Sequence, residues 1–321
     1  MNMIVLDAKT MGFPESEWEE VRALGNLRLH DVTPYDAPAI AERIADAEVV
    51  LTNKVPLPAE VIAGAGRLRL ISVLATGYNI VDLESARERG VTVCNVPGYG
   101  AESVAQHTIA LLLELRNHVA RHNASVQAGD WIVSDTFSYW QVPLHELRGQ
   151  TMGIVGFGDI GRRVGAIAHA FGMRILAAAR TRRDAPDWKD FAWAETDEIF
   201  ESADVVSLHC PATPETIGLV NAGRLARMQG HAQLINTARG NLVVEEDLAE
   251  ALRSGRPAAA GLDVLQHEPM DPACPLRSAP NCIITPHMAW ATVESRRRLL
   301  QATVENIRGF LDGRAVNVVE A

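Results

Sequence analysis

The sequence predicts an α/β protein that consists of two doubly wound parallel-sheet domains. Short apolar runs of strand length alternate with amphipathic helical segments along almost the whole chain, which is the pattern of parallel sheets covered by helices. With 321 residues the chain is long enough to build two such domains, each around its own core. Its composition, with 47% hydrophobic and 22% charged residues, is that of an ordinary globular protein.

The first hundred residues contain five apolar runs that predict strands. These runs lie near residues 4–6, 27–29, 49–51, 70–73 and 91–94. Helical spacing of apolar residues predicts helices near residues 15–24, 39–45 and 81–89. The turn-rich residues 95–100 end this block, and a long helix over residues 103–123 leads into the next one.

A second α/β series begins at Thr151. After a first strand at residues 151–155, further strands are expected near residues 175–178, 205–208, 233–236, 259–262 and 283–285. A final helix is expected over residues 293–311. The chain shows neither an internal repeat nor a low-complexity linker, so the two α/β series account for most of it.

The strongest motif follows the strand that ends at Val155. Gly156, Gly158 and Gly161 come next at G-x-G-x-x-G spacing, and an amphipathic helical segment follows them. In such a unit the three glycines allow a tight turn, close approach of the backbone to a pyrophosphate, and close helix–strand packing. The helix N-terminus adds unpaired N–H groups and the positive end of a dipole. We therefore predict a Rossmann dinucleotide site rather than a plain structural turn.

The residues at the end of the next strand favour NADP over NAD. NAD sites usually place Asp or Glu about 20 residues after the glycines, where the carboxylate binds the ribose 2′-hydroxyl. Residues 175–183 contain no acid, and Ala179 is followed by Arg180, Thr181 and two further arginines. Without the carboxylate a 2′-phosphate meets no repulsion, and Arg180 can pair with it. The alternative is that these arginines belong to a solvated surface.

Three loops with polar residues follow predicted strands of the second series. Arg239 lies in an Asn-Thr-Ala-Arg-Gly stretch, Glu268 in the loop after Asp263, and His287 in a proline-containing turn. The carboxyl ends of parallel strands meet at one edge, which allows these side chains to converge. Arginine binds carboxylates bidentately and histidine transfers protons near neutral pH, so the set makes the chain a candidate enzyme. A structural ion pair for Arg239 and an ordinary loop acid at Glu268 are the alternatives.

These motifs occur together with several others. Residues 75–82, 95–100, 103–107, 209–211 and 285–290 complete a pattern that covers nearly the whole chain. With them the sequence resembles the D-isomer-specific 2-hydroxyacid dehydrogenases, and within that family the glycerate dehydrogenase/hydroxypyruvate reductase group. The resemblance implies a flavodoxin-like substrate-binding domain from residues 1–100 and 290–321, a Rossmann dinucleotide-binding domain from residues 101–289, and a homodimer.

The resemblance also implies a role for individual residues. Arg239 would bind the substrate carboxylate, His287 would be the general acid/base, and Glu268 would be its carboxylate partner. Main-chain N–H groups of Thr76 and Gly77 would bind the carboxylate as well. The implied cofactor contacts are Gly156, Phe157, Gly158, Asp159, Ile160 and Gly161 at the pyrophosphate, Asp263 at the nicotinamide carboxamide, and Pro211, Thr237 and Ala238 elsewhere. Arg180 and Thr181 are expected cofactor contacts on the charge argument given above.

The expected activity is the reduction of small 2-keto acids, hydroxypyruvate and glyoxylate, to D-2-hydroxy acids with NADP or NAD as cofactor. One alternative is a reductase of larger 2-keto acids such as 2-ketogluconate. Another, of a different class, is a non-catalytic nucleotide-sensing protein like the corepressors that keep this fold. Turnover of hydroxypyruvate distinguishes a nucleotide-sensing protein from either reductase.

Other function classes find little support in the sequence. A net charge of −10 without a basic cluster argues against nucleic-acid binding, and no apolar run is long enough to span a membrane. The four cysteines lack C-x-x-C spacing, and we expect reduced thiols in a cytoplasmic protein. His118 and His122 have i,i+4 spacing but no third ligand, so no metal is predicted. Trp140 is either a dimer-interface aromatic or a residue that reaches the partner subunit's pocket.

Overall fold

A computed structural model describes residues 1–320. By their contacts these residues divide into two units, one of residues 1–100 with the chain from 291 onward, the other Ala101–Trp290. Trp290 therefore groups with the second unit, one residue beyond the boundary expected from the sequence.

Every pairing between the strands of the described chain is parallel. The strands are β1 (Asn2–Val5), β2 (Asn26–Leu29), β3 (Val49–Thr52), β4 (Leu70–Val73), β5 (Thr92–Cys94), β6 (Thr151–Val155), β7 (Arg174–Ala178), β8 (Phe191–Trp193), β9 (Val205–Leu208), β10 (Gln233–Asn236), β11 (Ala259–Leu262) and β12 (Cys282–Ile284).

The α-helices connect and cover these strands. They are α1 (Glu19–Arg22), α2 (Ala37–Ile44), α3 (Ala59–Gly64), α4 (Leu83–Glu88), α5 (Ala101–Asn117), α6 (Val119–Gln127), α7 (Asp159–Ala170), α8 (Thr196–Ser202), α9 (Ala222–Leu225), α10 (Glu245–Arg253) and α11 (Val293–Leu311). No helix of the described chain combines the length and the apolar character that a membrane crossing requires.

The first unit has a five-stranded sheet in the order β2-β1-β3-β4-β5. This is the flavodoxin-like order, and it reverses between β1 and β3. The central strands are buried on both faces, as β3 and β4 show with four buried residues each. Ligands of such sheets bind at the carboxyl ends of the strands beside the reversal, which here are the loops after β1 and β3.

The second unit has a seven-stranded sheet in the order β12-β11-β10-β9-β6-β7-β8. This is the Rossmann order with one additional strand, and it reverses between β6 and β9. Apolar residues fill both faces: Val206 and Leu208 pack on one side of β9, and Val205 packs on the other with Ile154 of β6. The sequence-predicted fold class, two doubly wound parallel sheets, is confirmed.

Two predicted helices were wrong in their extent. Residues 15–24 form a 3-10 turn, Glu15–Trp18, followed by the single turn of α1, because the backbone of Trp18 leaves helical geometry while its side chain is buried. The helix predicted over residues 103–123 breaks at His118, whose φ of 49° is left-handed. Histidine tolerates this region better than most residues, and the Glu114 carboxylate accepts the Ala120 N–H at the start of α6.

The sequence analysis also missed β8 and the helices α3, α8, α9 and α10. Strand β8 has only three residues at the sheet edge, so its alternation carried little signal. It is held instead by aromatic packing, with Phe157 lying 5.2 Å from Phe191 and 5.5 Å from Trp193 between ring centroids. Tertiary contacts therefore form an element that local pattern does not reveal.

Candidate active site

The glycine loop after β6 needs glycine at two of its three positions. Gly156 has φ +98°, and a Cβ there would lie 2.5 Å from both Cys210 N and His209 C. A Cβ on Gly161 would collide with the Gly156 carbonyl oxygen, whereas a Cβ on Gly158 would meet nothing within 4 Å. The loop is therefore closed on its inner side and open at Gly158.

The first turn of α7 fits an anionic group. Gly158 is the N-cap, and the first helical bond runs from Arg162 N to Gly158 O at 2.9 Å, so the N–H groups of Asp159, Ile160 and Gly161 have no helical acceptor. The Asp159 carboxylate is paired with Arg163 of the same helix. These N–H groups lie at the reversal of strand order, where a dinucleotide pyrophosphate binds in this fold.

Phe157, between the first two glycines, contributes its backbone to this loop rather than its ring. The side chain is buried in the aromatic cluster with β8. The Arg162 guanidinium lies over the ring, 5.0 Å from its centroid. The ring thus anchors the loop to the core and leaves the main chain facing outward.

Gly161, where a Cβ would collide with the backbone, and Gly158, where it would meet nothing, give a matched pair of substitutions. Gly161→Ala should destabilise the protein by about 1–3 kcal/mol, because backbone must move to admit the methyl group. Gly158→Ala should leave stability near wild type, since its Cβ meets open space, yet weaken cofactor binding if a pyrophosphate approaches there. Urea unfolding and NADPH fluorescence titration of both variants test this. Equal stability of the two, or unchanged NADPH affinity in Gly158→Ala, would contradict it.

Among the arginines after β7, Arg182 is engaged and Arg180 is not. Arg182 lies 2.5 Å from the Glu195 carboxylate. Arg180 is exposed and makes no hydrogen bond or ion pair within residues 1–320. The neighbouring Thr181 is exposed as well. Arg180 is thus available to a ligand phosphate, as is the exposed Arg183, whose guanidinium also makes no ion pair within residues 1–320.

The remaining predicted cofactor residues lie at the carboxyl ends of β9 and β10. Pro211 is exposed after β9. Thr237 is buried, and its hydroxyl lies 2.9 Å from that of Thr108 on α5. Ala238 is half-buried and donates its N–H to the Asn236 side chain at 3.0 Å.

His209 also lies beside the glycine loop, but desolvation makes it unsuitable as an acid near neutral pH. Loss of solvent lowers the pKa of its imidazole to about 3. Its Nε2 atom lies 2.8 Å from the Ser207 hydroxyl, which suits a neutral ring. His209 is therefore not a candidate for the proton donor of this site.

Arg239 lies in a loop that Asn236 and a glycine hold in place. The Asn236 side chain, fully buried, donates to the Arg239 carbonyl at 2.8 Å and accepts from Ala238. A Cβ on Gly240 would collide with the Leu265 carbonyl group, so this loop packs directly on the one after β11. The exposed guanidinium of Arg239 donates to the Ala238 carbonyl at 2.7 Å and makes no ion pair among the described residues.

Glu268 and His287 are in direct contact. One Glu268 oxygen lies 2.5 Å from His287 Nδ1, and the other accepts the Leu265 N–H at 3.0 Å. Because a carboxylate only accepts hydrogen bonds, Nδ1 carries a hydrogen and Nε2 is the ring atom left for a ligand. His287 is half-buried, so that nitrogen can be reached from solvent. The structure thus brings Glu268 and His287 together, with the Arg239 loop packed against the same loop through Gly240.

Asp263 is buried, and its oxygens are used within the protein. Its carboxylate accepts the N–H groups of Met288 at 2.9 Å and Ala289 at 2.8 Å. The Thr285 hydroxyl donates to it at 2.6 Å. These bonds tie Asp263 to the turn that carries His287, a role that the sequence analysis did not assign.

The family follows from comparison with known sequences. Residues 109–289 match the family described as D-isomer specific 2-hydroxyacid dehydrogenase, NAD binding domain. A hydroxypyruvate reductase of Blautia hydrogenotrophica is 45% identical over 320 residues, which cover 99% of either chain. The chain belongs to this family of dehydrogenases.

Two further relatives of this dehydrogenase agree. A glycerate dehydrogenase of Methylorubrum extorquens is 38% identical over 88% of both chains. Among solved structures, an NADPH-dependent glyoxylate/hydroxypyruvate reductase of Sinorhizobium meliloti, in complex with NADP and malonate, superposes with a TM-score of 0.84 at 28% identity. That alignment covers 99% of this chain and 96% of the other. The protein is therefore a nicotinamide-dependent oxidoreductase.

In the first unit of the dehydrogenase, Thr76 and Gly77 follow β4 and keep free backbone donors. The Thr76 hydroxyl donates to the Val96 carbonyl at 2.8 Å and its own carbonyl accepts from Asn95. Within residues 1–320 the N–H groups of Thr76 and Gly77 donate to no acceptor. A loop held in this way can present two N–H groups to an anion.

A carboxylate missed by the sequence analysis lies at the order reversal of the same sheet. Asp7 follows β1, is buried, and accepts the N–H groups of Asn53 at 2.9 Å and Lys54 at 2.6 Å after β3. Burial raises the pKa of its carboxyl, although those donors act in the opposite direction. Only the pairing of β1 with β3 reveals this contact, since 46 residues separate Asp7 from Asn53.

Of the two histidines with i,i+4 spacing, His122 is hydrogen-bonded within the protein at both ring nitrogens. His122 Nδ1 lies 2.9 Å from the His118 carbonyl, and its Nε2 accepts the Gln141 N–H at 3.1 Å. Both ring nitrogens are therefore occupied by protein groups. Within residues 1–320 no three His, Cys, Asp or Glu side chains cluster as metal ligands would.

Proposed function

We propose that this dehydrogenase reduces small 2-keto acids, hydroxypyruvate and glyoxylate, to D-2-hydroxy acids with a reduced nicotinamide cofactor. The observation that carries the proposal is the Glu268–His287 contact at 2.5 Å beside a loop that exposes Arg239 without an ion pair. The set contains an oriented proton donor and an unpaired cationic fork. The names of the three relatives described above support the same substrate class.

Each residue of the set has one task in the proposed reaction. When bound, the cofactor supplies a hydride to the keto carbon. Arg239 binds the substrate carboxylate through its planar guanidinium and so fixes the position of that carbon. His287 holds a proton at Nε2 and gives it to the keto oxygen, where negative charge develops. Glu268 accepts the Nδ1 hydrogen, stabilises the protonated ring and keeps its orientation.

Thr76 and Gly77 complete the proposed substrate contacts. Their backbone N–H groups are the donors of the first unit that we assign to the carboxylate, because neither has an acceptor within residues 1–320. A carboxylate accepts several such bonds without a change of charge. Asp263 remains the proposed partner of the nicotinamide carboxamide, through lone pairs that its three donors leave available.

The test of this function is an initial-rate panel. Purified protein is assayed with glyoxylate, hydroxypyruvate, pyruvate and 2-ketogluconate, each with NADH and with NADPH. We expect the highest kcat/KM for hydroxypyruvate or glyoxylate. A preference for 2-ketogluconate would assign the activity to larger keto acids, and turnover of none of the four would support a nucleotide-sensing protein instead.

We further propose that NADPH is the preferred cofactor and that Arg180 recognises its 2′-phosphate. Arg180→Ala should weaken NADPH binding by about 1–3 kcal/mol and leave NADH kinetics nearly unchanged, because one charge-assisted contact is lost. Arg182→Ala is the matched control, since that guanidinium is already paired with Glu195. Kd values for both cofactors check this. Equal losses for the two cofactors, or a wild-type preference for NADH, would contradict the assignment.

We propose that the protein forms a homodimer through the segment between α6 and β6. Its large apolar side chains are exposed, with Ile132 at 86%, Phe137 at 93% and Trp140 at 67%. A monomer rarely exposes several such side chains close together in sequence, and a second copy of the chain is the occupant that the family resemblance favours. Light scattering should give twice the chain mass. Phe137→Arg should reduce the measured mass to that of a single chain. An unchanged mass would mean that the interface lies elsewhere.

We propose a cytoplasmic location because the cysteines are free thiols. All four cysteines are free. Burial raises the pKa of Cys94 to about 11 and that of Cys282 to about 12, so these thiols stay protonated. Free, unreactive cysteines are usual in a reducing compartment.

A further inference from the structure

The turn that carries His287 is hydrogen-bonded mainly to one residue, Asp263. Three consecutive N–H groups of the turn donate to it: His287 to the Asp263 carbonyl at 2.8 Å, Met288 to Oδ1 at 2.9 Å and Ala289 to Oδ2 at 2.8 Å. His287 has φ +51°, a left-handed conformation that is uncommon for residues with a Cβ but that histidine tolerates better than most. The three hydrogen bonds to Asp263 hold the turn in this conformation.

The Asp263 carboxylate is held in turn by Thr285 and His107. The Thr285 hydroxyl donates to Oδ1 at 2.6 Å. His107 Nε2, on α5, lies 2.9 Å from the Thr285 oxygen and 3.5 Å from Oδ1. A hydroxyl has a single hydrogen, which here goes to the carboxylate, so Nε2 of His107 carries a hydrogen and donates to Thr285.

This arrangement differs from that of an ordinary surface ion pair. The Asp263 side chain is 1% exposed and that of His107 is 17% exposed, so water replaces a lost donor poorly. If the donor at His107 is removed, Thr285 and Asp263 must rearrange. The main-chain bonds to Met288 and Ala289 share the same carboxylate, and therefore move with it.

We infer that His107 is a positioning residue for the proposed reaction. Through Thr285 and Asp263 it holds the 287–289 turn, and with it the His287 imidazole, in the orientation that presents Nε2 to the keto oxygen. His107 touches neither substrate nor reacting atoms in this role. The inference rests on the proposed function, because it gives His287 the proton that is transferred.

The test compares His107→Leu, which removes the donor, with His107→Gln, whose amide nitrogen can donate from the place of Nε2. Both are made in the wild-type chain and in His287→Gln. We expect His107→Leu to lower kcat for hydroxypyruvate about 10- to 100-fold, the scale of a misplacement near 1 Å. KM for hydroxypyruvate should stay within about twofold of wild type, since the Arg239 contact is not touched. His107→Gln should recover most of kcat.

The His287→Gln background decides between positioning and general structural damage. Once the positioned imidazole is gone, His107→Leu should cause no further loss, as expected for two residues that act as one unit. Single-turnover assays with enzyme in excess give the rates of these slow variants. A loss of the same factor in both backgrounds, or an unchanged kcat in His107→Leu alone, would overturn the inference.

Two controls keep the outcomes separate. Circular dichroism establishes that each variant is folded; should His107→Leu fail, Thr285→Val removes the same link without a change of shape and is expected to give the same pattern. If His287→Gln alone retains wild-type kcat, the proposed function has failed. If His287→Gln loses activity and His107→Leu adds its full loss to it, only the positioning role has failed.

Discussion

His287→Gln should lower kcat for keto-acid reduction by about 10²- to 10⁴-fold, the range for removal of a general acid. Glutamine keeps the side chain's approximate length and polarity, but it has no proton to give at the keto oxygen. NADPH affinity should stay near wild type, because the glycine loop after β6 contains no contact to this residue. Steady-state kinetics measures the loss of kcat, and NADPH fluorescence titration measures the cofactor affinity. A near-wild-type kcat would remove His287 from the chemistry.

Glu268→Gln is the companion variant for that experiment. It retains an oxygen that can accept from the Leu265 N–H, but its amide gives His287 Nδ1 a neutral partner in place of a carboxylate. We expect a smaller loss of kcat than in His287→Gln, because the proton donor remains while its orientation is less constrained. A larger loss than that of His287→Gln would mean that Glu268 acts directly on the substrate.

Arg239→Lys should lower kcat/KM for keto acids by about 10- to 150-fold, which corresponds to a lost charge-assisted hydrogen bond of about 1.5–3 kcal/mol. Lysine keeps the charge but not the planar fork, so KM should rise and kcat should fall as the keto carbon loses its fixed position. Stability should change little, since the exposed guanidinium makes no ion pair among residues 1–320.

NADPH binding is the control for the arginine variant. Its Kd should be unaltered, because Arg239 is proposed to contact the substrate alone. Unaltered keto-acid kinetics in Arg239→Lys would show that the residue supports the loop only, and equal weakening of NADPH and keto acid would point to collapse of the loop that Gly240 packs against Leu265.

Local sequence pattern was sufficient for much of the fold and for the glycine loop. Buried parallel strands are continuous apolar runs, which is why the central strands of both sheets could be predicted. The spacing of Gly156 and Gly161 reflects two close backbone approaches that only glycine permits, so that motif reports directly on geometry. The polar loops after β10, β11 and β12 were visible because parallel strands bring their carboxyl ends to one edge.

Tertiary structure decided which of these residues are available to a ligand. The sequence offered three arginines after β7, but the contact with Glu195 occupies Arg182 and leaves Arg180 and Arg183 unpaired. It assigned Phe157 to the cofactor loop, although the ring belongs to the core beside β8. In each case a partner 13 or more residues away determines the outcome, and single-sequence periodicity contains no information about such partners.

The same reason explains the support of the His287 turn. His107 lies 178 positions before Thr285 in the sequence, and Asp263 lies 22 positions before Thr285. The sequence alone determined which chemical groups the protein has and at which strand ends they stand. That these three groups meet was decided only by the pairing of β11 with β12 and by the packing of the described second unit. Buried side chains form hydrogen bonds with residues that are neighbours in the fold, and these need not be neighbours along the chain.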